Sequence, residues 1–224
     1  MKTEVRRLFS LISTRYDLLN RLLSLGLDQI WRERLMKELS PAPGERVLDL
    51  CTGTGDLAKM SEKRGGRVIG VDISLPMLRR AREKVPRAKW VLADAEALPF
   101  PPDSFHKVIM GFGLRNLSSP ERGLKEALRV LKPGGELGIL EFSPNPSRFI
   151  RPFYLFYLRK LIPLLGGLIS SHREAYSYLS SSVQSFLKPE EVLQTMKSCG
   201  FSGVRHLKLT MGIVIIYLGK KEGK

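Results

Sequence analysis

The chain alternates short runs of Val, Ile and Leu with segments whose apolar residues recur at helical spacing. RVLDL (46–50), RVIGVDI (67–73), KWVLAD (89–94), KVIMGF (107–112) and ELGILEF (136–142) have the length and apolar continuity of strands buried on both faces. Between the first two, GDLAKMSEKRGG (55–66) predicts a short helix stopped by a glycine pair. SLPMLRRAREKV (74–85) starts with a Ser cap and carries Pro in its first turn; SSPERGLKEALRVLKPGG (118–135) repeats that design and ends in Lys-Pro-Gly-Gly, which turns the chain into the next strand. Such β/α alternation predicts a parallel sheet covered by helices. At the C-terminus KPEEVLQTMKSCG (188–200) predicts a last helix, and VRHLKLT (204–210) and GIVIIYLG (212–219) two more strands. Too few residues join those two for a crossover helix, so they must run antiparallel. The expectation is a seven-stranded, mostly parallel α/β sheet of Rossmann-like type whose last strand is antiparallel.

The remaining segments do not fit the alternation. MKTEVRRLFSLISTRYDLL (1–19) reads as an amphipathic helix, and charges at Arg6, Arg7, Arg15 and Asp17 deny it the apolar stretch of a signal peptide. The segment 142–173 holds Arg148, Arg151, Arg159, Lys160 and Arg173 and no Asp or Glu, interleaved with aromatic and aliphatic residues. Its uncharged runs are shorter than the roughly 18 to 20 residues that cross a bilayer, so it is expected to lie on a membrane rather than span it. We therefore expect one domain built of an N-terminal helical lid (1–40), a core (41–143), a basic aromatic insertion (144–187) and a C-terminal helix with the antiparallel pair (188–224).

Composition narrows the setting. Among 224 residues, 37 Lys and Arg against 22 Asp and Glu give a formal charge of +15, which attracts polyanions: RNA, DNA or an anionic lipid surface. Cys51 and Cys199 match no CxxC spacing, so no disulfide is expected and a reducing cytoplasm is the natural compartment. His106, His172 and His206 form no ligand grouping, and no metal is implied.

The candidate chemistry sits at the ends of the predicted strands. Asp49 closes the first, and Gly53 and Gly55 open the following helix, where a ligand can approach the backbone and free N–H groups. Gly53-Thr54-Gly55-Asp56-Leu57-Ala58 also satisfies the dinucleotide pattern, with Asp72 placed for a ribose, so a nicotinamide enzyme is a rival. A carboxylate just before the glycine loop, however, repels a pyrophosphate and suits a ligand carrying an ammonium and a sulfonium. That describes S-adenosylmethionine, with Asp72 on the ribose hydroxyls and Asp94, after the third strand, on the adenine amino group. After the fourth strand comes GFGLRN (111–116), whose location at the carboxyl edge faces the ligand crevice of such a sheet.

VLDLCTGTGD, GVDISLPML, ADAEALPFP, GFGLRN and RVLKPGG together resemble the class I methyltransferases, and specifically the family that C-methylates demethylmenaquinone and the ubiquinone precursor. The likeness covers nearly the whole chain, including RYDLLNRLLSLGLDQIWR, LEFS and EAYSYLSSSVQSF. It implies cofactor contacts at Thr54, Asp72, Asp94 and Ala95, with Asp49, Gly53 and Gly55 matching the general fold. It implies methylation of a quinol ring carbon, demethylmenaquinol to menaquinol or the corresponding benzoquinol, with no nucleic acid as partner. On that basis Arg115 stabilises a ring oxyanion, Asn116 fixes it by hydrogen bonding, Gly111 leaves room for the ring, Tyr16 contributes from the lid, and Tyr176 and Tyr178 line the opposite wall. A polyprenylated substrate implies an enzyme docked on the inner face of the cell membrane, with Phe149, Phe153, Phe156 and Leu164 entering the interface; the same apolar surface would also suit a homodimer. The chain departs from the family at Cys51, His106, Ser180 and Leu187.

Overall fold

The computed structural model describes residues 2–13, 16–161 and 173–223, without the side chains of residues 2, 5, 12, 159, 161 and 173–176. Three helices, α1 (Lys2–Ile12), α2 (Tyr16–Leu23) and α3 (Leu27–Leu39), precede the sheet. There follow β1 (Arg46–Leu50), α4 (Asp56–Glu62), β2 (Arg67–Asp72), α5 (Leu75–Lys84), β3 (Lys89–Leu92), β4 (Phe105–Gly111), a 3₁₀ turn at Leu114–Asn116, α6 (Pro120–Val130) and β5 (Leu131–Phe142). Then come α7 (Arg151–Phe156), which runs into a π-helical turn at Tyr157–Leu161, α8 (Arg173–Gln184), α9 (Pro189–Ser198), β6 (Ser202–Leu209) and β7 (Val214–Lys220).

The seven strands lie in the order β3-β2-β1-β4-β5-β7-β6. All pairs from β3 to β5 are parallel, and β7 runs antiparallel to both of its neighbours, as the short β6–β7 link requires. Side-chain alternation divides the core. Leu48, Leu50, Val108, Met110, Ile215 and Tyr217 face the layer that includes α6 and α9, whereas Val47, Ile109, Val214, Ile216 and Leu218 face α3 and α4. The Lys-Pro-Gly-Gly turn is accommodated inside β5, where the register against β4 shifts between Phe105 and Lys107 and Gly134 takes a φ of +77°.

Two local expectations are corrected. The N-terminal segment is not one helix: α1 stops at Ile12 and a separate α2 begins at Tyr16. Ser13 turns its hydroxyl onto the Ser10 carbonyl, and Asp17 is drawn to the glycine loop, so tertiary contacts override the continuous amphipathic pattern. Ser74 does stand at the N-cap of α5 but makes no capping bond. Its hydroxyl pairs with that of Ser10 at 2.9 Å, which ties α1 to the core.

The helix α3 lies close against the sheet because β5 offers it a glycine. A Cβ on Gly138 would fall 2.5 Å from Leu39 Cδ1 and 2.8 Å from Leu35 Cδ1. Gly138→Val should therefore push α3 outward and cost about 1–3 kcal/mol of stability, measurable as a lower urea midpoint. An unchanged midpoint would mean that α3 is free to slide.

Candidate active site

The strand order reverses at β1 and β4: from β1 the chain proceeds to β2 on one side, and from β4 to β5 on the other. A crevice must open at the carboxyl ends of such a pair. Three adjoining cavities occupy it, and Tyr16 lines all three.

The first cavity runs along the ends of β1, β2, β3 and β4, roofed by Arg6 and Phe9 of α1. Tyr16, Gly53, Asp72, Asp94, Ala95, Gly111 and Asn116 line it, so seven of the candidate site residues singled out in the sequence meet in one place. Asp72 accepts hydrogen bonds from the Gly53 and Ser74 amides at 2.9 and 2.8 Å. Burial pushes its carboxyl above the usual range, and those amides oppose the rise. Asp94 accepts from the Glu96 amide at 2.9 Å. Glu96 in turn accepts from the Ser118 amide at 2.7 Å and pairs with Arg122, pinning the loop after Asn116.

The second cavity is small and polar and is lined by Asp49, Thr54, Asp56, Arg32 and Tyr16. Asp49 is buried; its Oδ2 accepts from the Thr52 hydroxyl at 2.6 Å and from the Ala58 amide at 3.0 Å, but Oδ1 has no partner among the described residues. Burial pushes this carboxyl up to about 7, against the pull of Thr52 and Ala58. Thr54 turns toward the lid: its hydroxyl meets Asp17 Oδ1 at 2.5 Å and Lys84 Nζ at 3.1 Å, while Lys84 also bonds Asp17 and Asp56. Burial raises the Asp56 carboxyl, but Arg32 and Lys84 outweigh it and leave the group below its ordinary value. Gly55, by contrast, serves packing, because a Cβ there would crowd Trp90 and Ala81 at 3.1 and 3.2 Å.

The third cavity, about 320 Å³, is apolar and is walled by the lid and by the segment after β5, with Leu19, Trp31, Phe112, Phe142 and Leu158 among its lining. Arg115, Tyr154 and Tyr178 bring polar groups to it. Arg115 is not a free cation. Its Nη1 donates to Glu141 Oε1 at 2.6 Å and to the Phe112 carbonyl at 2.7 Å, while Nε has no partner among the described residues. Both members of this ion pair are buried, and removing one partner of such a pair strands the other. Asn116 donates to the same Phe112 carbonyl at 3.1 Å and accepts from the Tyr178 hydroxyl at 3.0 Å, linking the walls of the first and third cavities. Burial raises the Tyr16 hydroxyl above its ordinary value, opposed by Asn20, Arg32 and Arg115. The side chain of Tyr176, and Leu164 altogether, lie outside the described residues.

Sequence reasoning missed Arg32, Trp31, Glu141 and Tyr154. LEFS contained the signal for Glu141, since a carboxylate inside an otherwise apolar strand must have a buried partner. Arg32 and Tyr154 sit on helices whose faces only the tertiary packing defines.

Residues 1–221 match the sequence pattern of the ubiE/COQ5 methyltransferase family. The chain belongs to that family. Among its relatives, a demethylmenaquinone methyltransferase of Thermus thermophilus is 46% identical over 96% of this chain and 100% of its own length. A ubiquinone/menaquinone biosynthesis C-methyltransferase of Geobacter sulfurreducens is 43% identical over 97% and 88%. The fold is shared more widely: the crystal structure of a SAM-dependent methyltransferase from Thermotoga maritima superposes with a TM-score of 0.70 at 22% identity, covering 97% of this chain and 100% of that one. This family member is a methyltransferase, and S-adenosylmethionine fits the crevice, since the orphan Oδ1 of buried Asp49 awaits a cationic ligand.

Asp49 gives a pH prediction. Its carboxyl rises from an ordinary 3.8 to about 7 on folding, so between these values the folded protein holds a proton that the unfolded chain has released. Its contribution to stability therefore falls as pH rises through that window and stays low above it. Asp49→Asn should raise the Tm of the ligand-free protein at pH 8, with the gain shrinking as pH falls toward about 4, and should abolish stabilisation by S-adenosylhomocysteine. Scanning calorimetry tests both effects; a ligand shift retained in the variant would remove Asp49 from the cofactor site.

Proposed function

We propose that this protein transfers a methyl group from S-adenosylmethionine to a ring carbon of demethylmenaquinol, giving menaquinol. The observation that carries the reading is the apolar third cavity, which joins the cofactor crevice at Tyr16 and Phe112 and has two arginines and four tyrosines in its lining. A flat hydrophobic ring with two oxygens fits that combination.

Bound S-adenosylmethionine supplies a methyl group already activated by a positively charged sulfur. Asp72 accepts the ribose hydroxyls, Asp94 and the Ala95 backbone receive the adenine, and Asp49 takes the ammonium, with Gly53 and Thr54 shaping the loop around it. Gly111 lines the first and second cavities at the reacting edge. In the transfer the sulfur–carbon bond breaks, the ring carbon–carbon bond forms, and the ring C–H proton leaves to restore aromaticity. The ring is nucleophilic when a quinol hydroxyl has lost its proton, and Arg115 stabilises the resulting oxyanion by hydrogen bonding while Glu141 holds the guanidinium in place. A guanidinium is a planar fork of N–H donors with no acceptor, so it acts as donor and not as base. Asn116, fixed by Tyr178, and Tyr16 orient the ring against the methyl group.

The mouth of the cavity explains how a prenyl tail is received. Leu25 and Phe153 line it and are 86% and 74% exposed, and Phe149 and Phe156 stand out beside it at 84% and 64%. Arg148, Arg151 and Lys160 are exposed on the same segment. No helix among the described residues is long and apolar enough to cross a membrane. This surface suits docking on an anionic bilayer, aromatic residues entering the interface and basic ones meeting headgroups.

Labelled S-adenosylmethionine with reduced short-chain demethylmenaquinone, alongside a benzoquinol precursor and bulk RNA, tests the assignment. Label is expected in the naphthoquinol. Label in both quinols would indicate a dual-pathway enzyme, and label in RNA alone would overturn the reading. Arg115→Ala should lower kcat by about 10²- to 10³-fold while leaving S-adenosylhomocysteine affinity unchanged; equal loss of both would deny it an oxyanion role. Phe149→Ser with Phe156→Ser should abolish sedimentation with anionic vesicles while sparing turnover of a water-soluble quinol. Sedimentation that persists would place the membrane surface elsewhere.

A further inference from the structure

Tyr154 borders the third cavity, and the reaction just described does not use it. It stands on α7, 5% exposed, in a cluster with Leu19, Leu158 and Val183. Those neighbours give its ring an apolar seat and its hydroxyl nothing to bond, and the buried hydroxyl has no partner among the described residues. Burying a hydroxyl unbonded costs free energy, so such groups are rare and call for an explanation. Fastening the lid is not that explanation, because the next tyrosine already does so: Tyr157 donates its hydroxyl to the Leu23 carbonyl at the end of α2.

A second unbonded donor belongs to the same cavity. Arg115 commits Nη1 to Glu141 and to the Phe112 carbonyl, while its Nε is buried with no partner among the described residues. Arg115 and Tyr154 both line the third cavity, and the charges of Arg115 and Glu141 both bear on the Tyr154 hydroxyl, as does Tyr157. Burial outweighs the pull of Arg115 and raises the phenol well above its ordinary value, so near neutral pH it is an O–H donor. An N–H and an O–H, each buried and not bonded to the other, lack an acceptor that the chain does not supply. Two donors meeting one oxygen are the arrangement that stabilises a developing oxyanion.

We infer that the Tyr154 hydroxyl is a second donor to the quinolate oxygen that Arg115 receives, the two forming one oxyanion site. This rests on the proposal that a quinol occupies the third cavity. Arg115 supplies the charge, and Tyr154 supplies a neutral hydrogen bond that strengthens as the oxygen loses its proton. The ring oxygen held between them is then the one that ionises, and the carbon beside it is the one made nucleophilic.

Methyl transfer to reduced short-chain demethylmenaquinone, measured across pH, tests the inference. Tyr154→Phe removes the hydroxyl alone. It should lower kcat by about 10- to 100-fold, the worth of a hydrogen bond to a charged group. The limb of the pH–kcat profile on which the bound quinol ionises should move upward by about one to two units. S-adenosylhomocysteine affinity should stay as in the wild type, and the ligand-free Tm at or above it, since no bond within the protein is lost. A packing role would lower kcat without moving the limb, so an unmoved limb would overturn the inference, as would a fall in the ligand-free Tm or in S-adenosylhomocysteine affinity. Wild-type protein that methylated no quinol would instead overturn the substrate reading on which it rests.

Discussion

Two adjacent parallel strands, β1 and β4, send the chain away in opposite directions, and the whole site depends on that divergence. The connections leave to either side, so a ligand can enter at the strand ends there. The sequence meets this constraint with residues that tolerate close approach: Cys51 and Phe112 adopt φ values of 52° and 58°, and a Cβ on Gly113 would sit 2.6 Å from that of Cys51. Backbone in the left-handed region is costly for a non-glycine residue and persists where surrounding structure imposes it. Here it turns Phe112 toward the third cavity, where its ring packs against Phe142 with centroids 4.6 Å apart.

A crevice so formed needs a cover, and at its cofactor end α1 and α2 are latched by polar contacts. Ser10 bonds Ser74, Asp17 bonds Thr54 and Lys84, and Arg21 reaches Asp56 at 3.4 Å. Such part-exposed ion pairs are individually weak and exchange readily with water. The apolar interior of the lid behaves differently: Leu19, Tyr154, Leu158 and Val183 form their own cluster around the third cavity. A cover latched by polar contacts at the cofactor end and closed by apolar packing at the other can release a nucleoside without dismantling the site for a hydrophobic ring.

The strands, their directions and the strand-end carboxylates were legible because they follow from local rules. Unbroken apolar runs mark strands buried on two faces, the short link between the last two strands forces them antiparallel, and acids at consecutive strand ends converge once the sheet is parallel. The lid was legible only as an amphipathic pattern. Its break at Ser13 and the diversion of the Ser74 hydroxyl from capping go with contacts between residues 37 to 67 positions apart, and Arg32 meets the other residues of its pocket only in the folded chain. Arg115 illustrates the same limit: the motif announced a charge at the crevice, but only the neighbouring strand reveals that Glu141 already holds it.

That pairing bears on the chemistry. Of the acids near the crevice, Glu141 is ion-paired with Arg115, whereas Asp49 forms no ion pair among the described residues and burial pushes it toward neutrality. The crevice is therefore polarised along its length, with an open carboxylate at the end suited to a cationic ligand and an internally compensated pair at the end suited to the ring. An uncompensated guanidinium beside a quinolate would draw electron density onto the oxygen and away from the carbon that must attack. Under the proposed function the Glu141–Arg115 pair would offer a directed donor with little net charge, enough to orient and stabilise an oxyanion while leaving the ring nucleophilic. On this view the carboxylate inside β5 tunes the arginine as well as anchoring it.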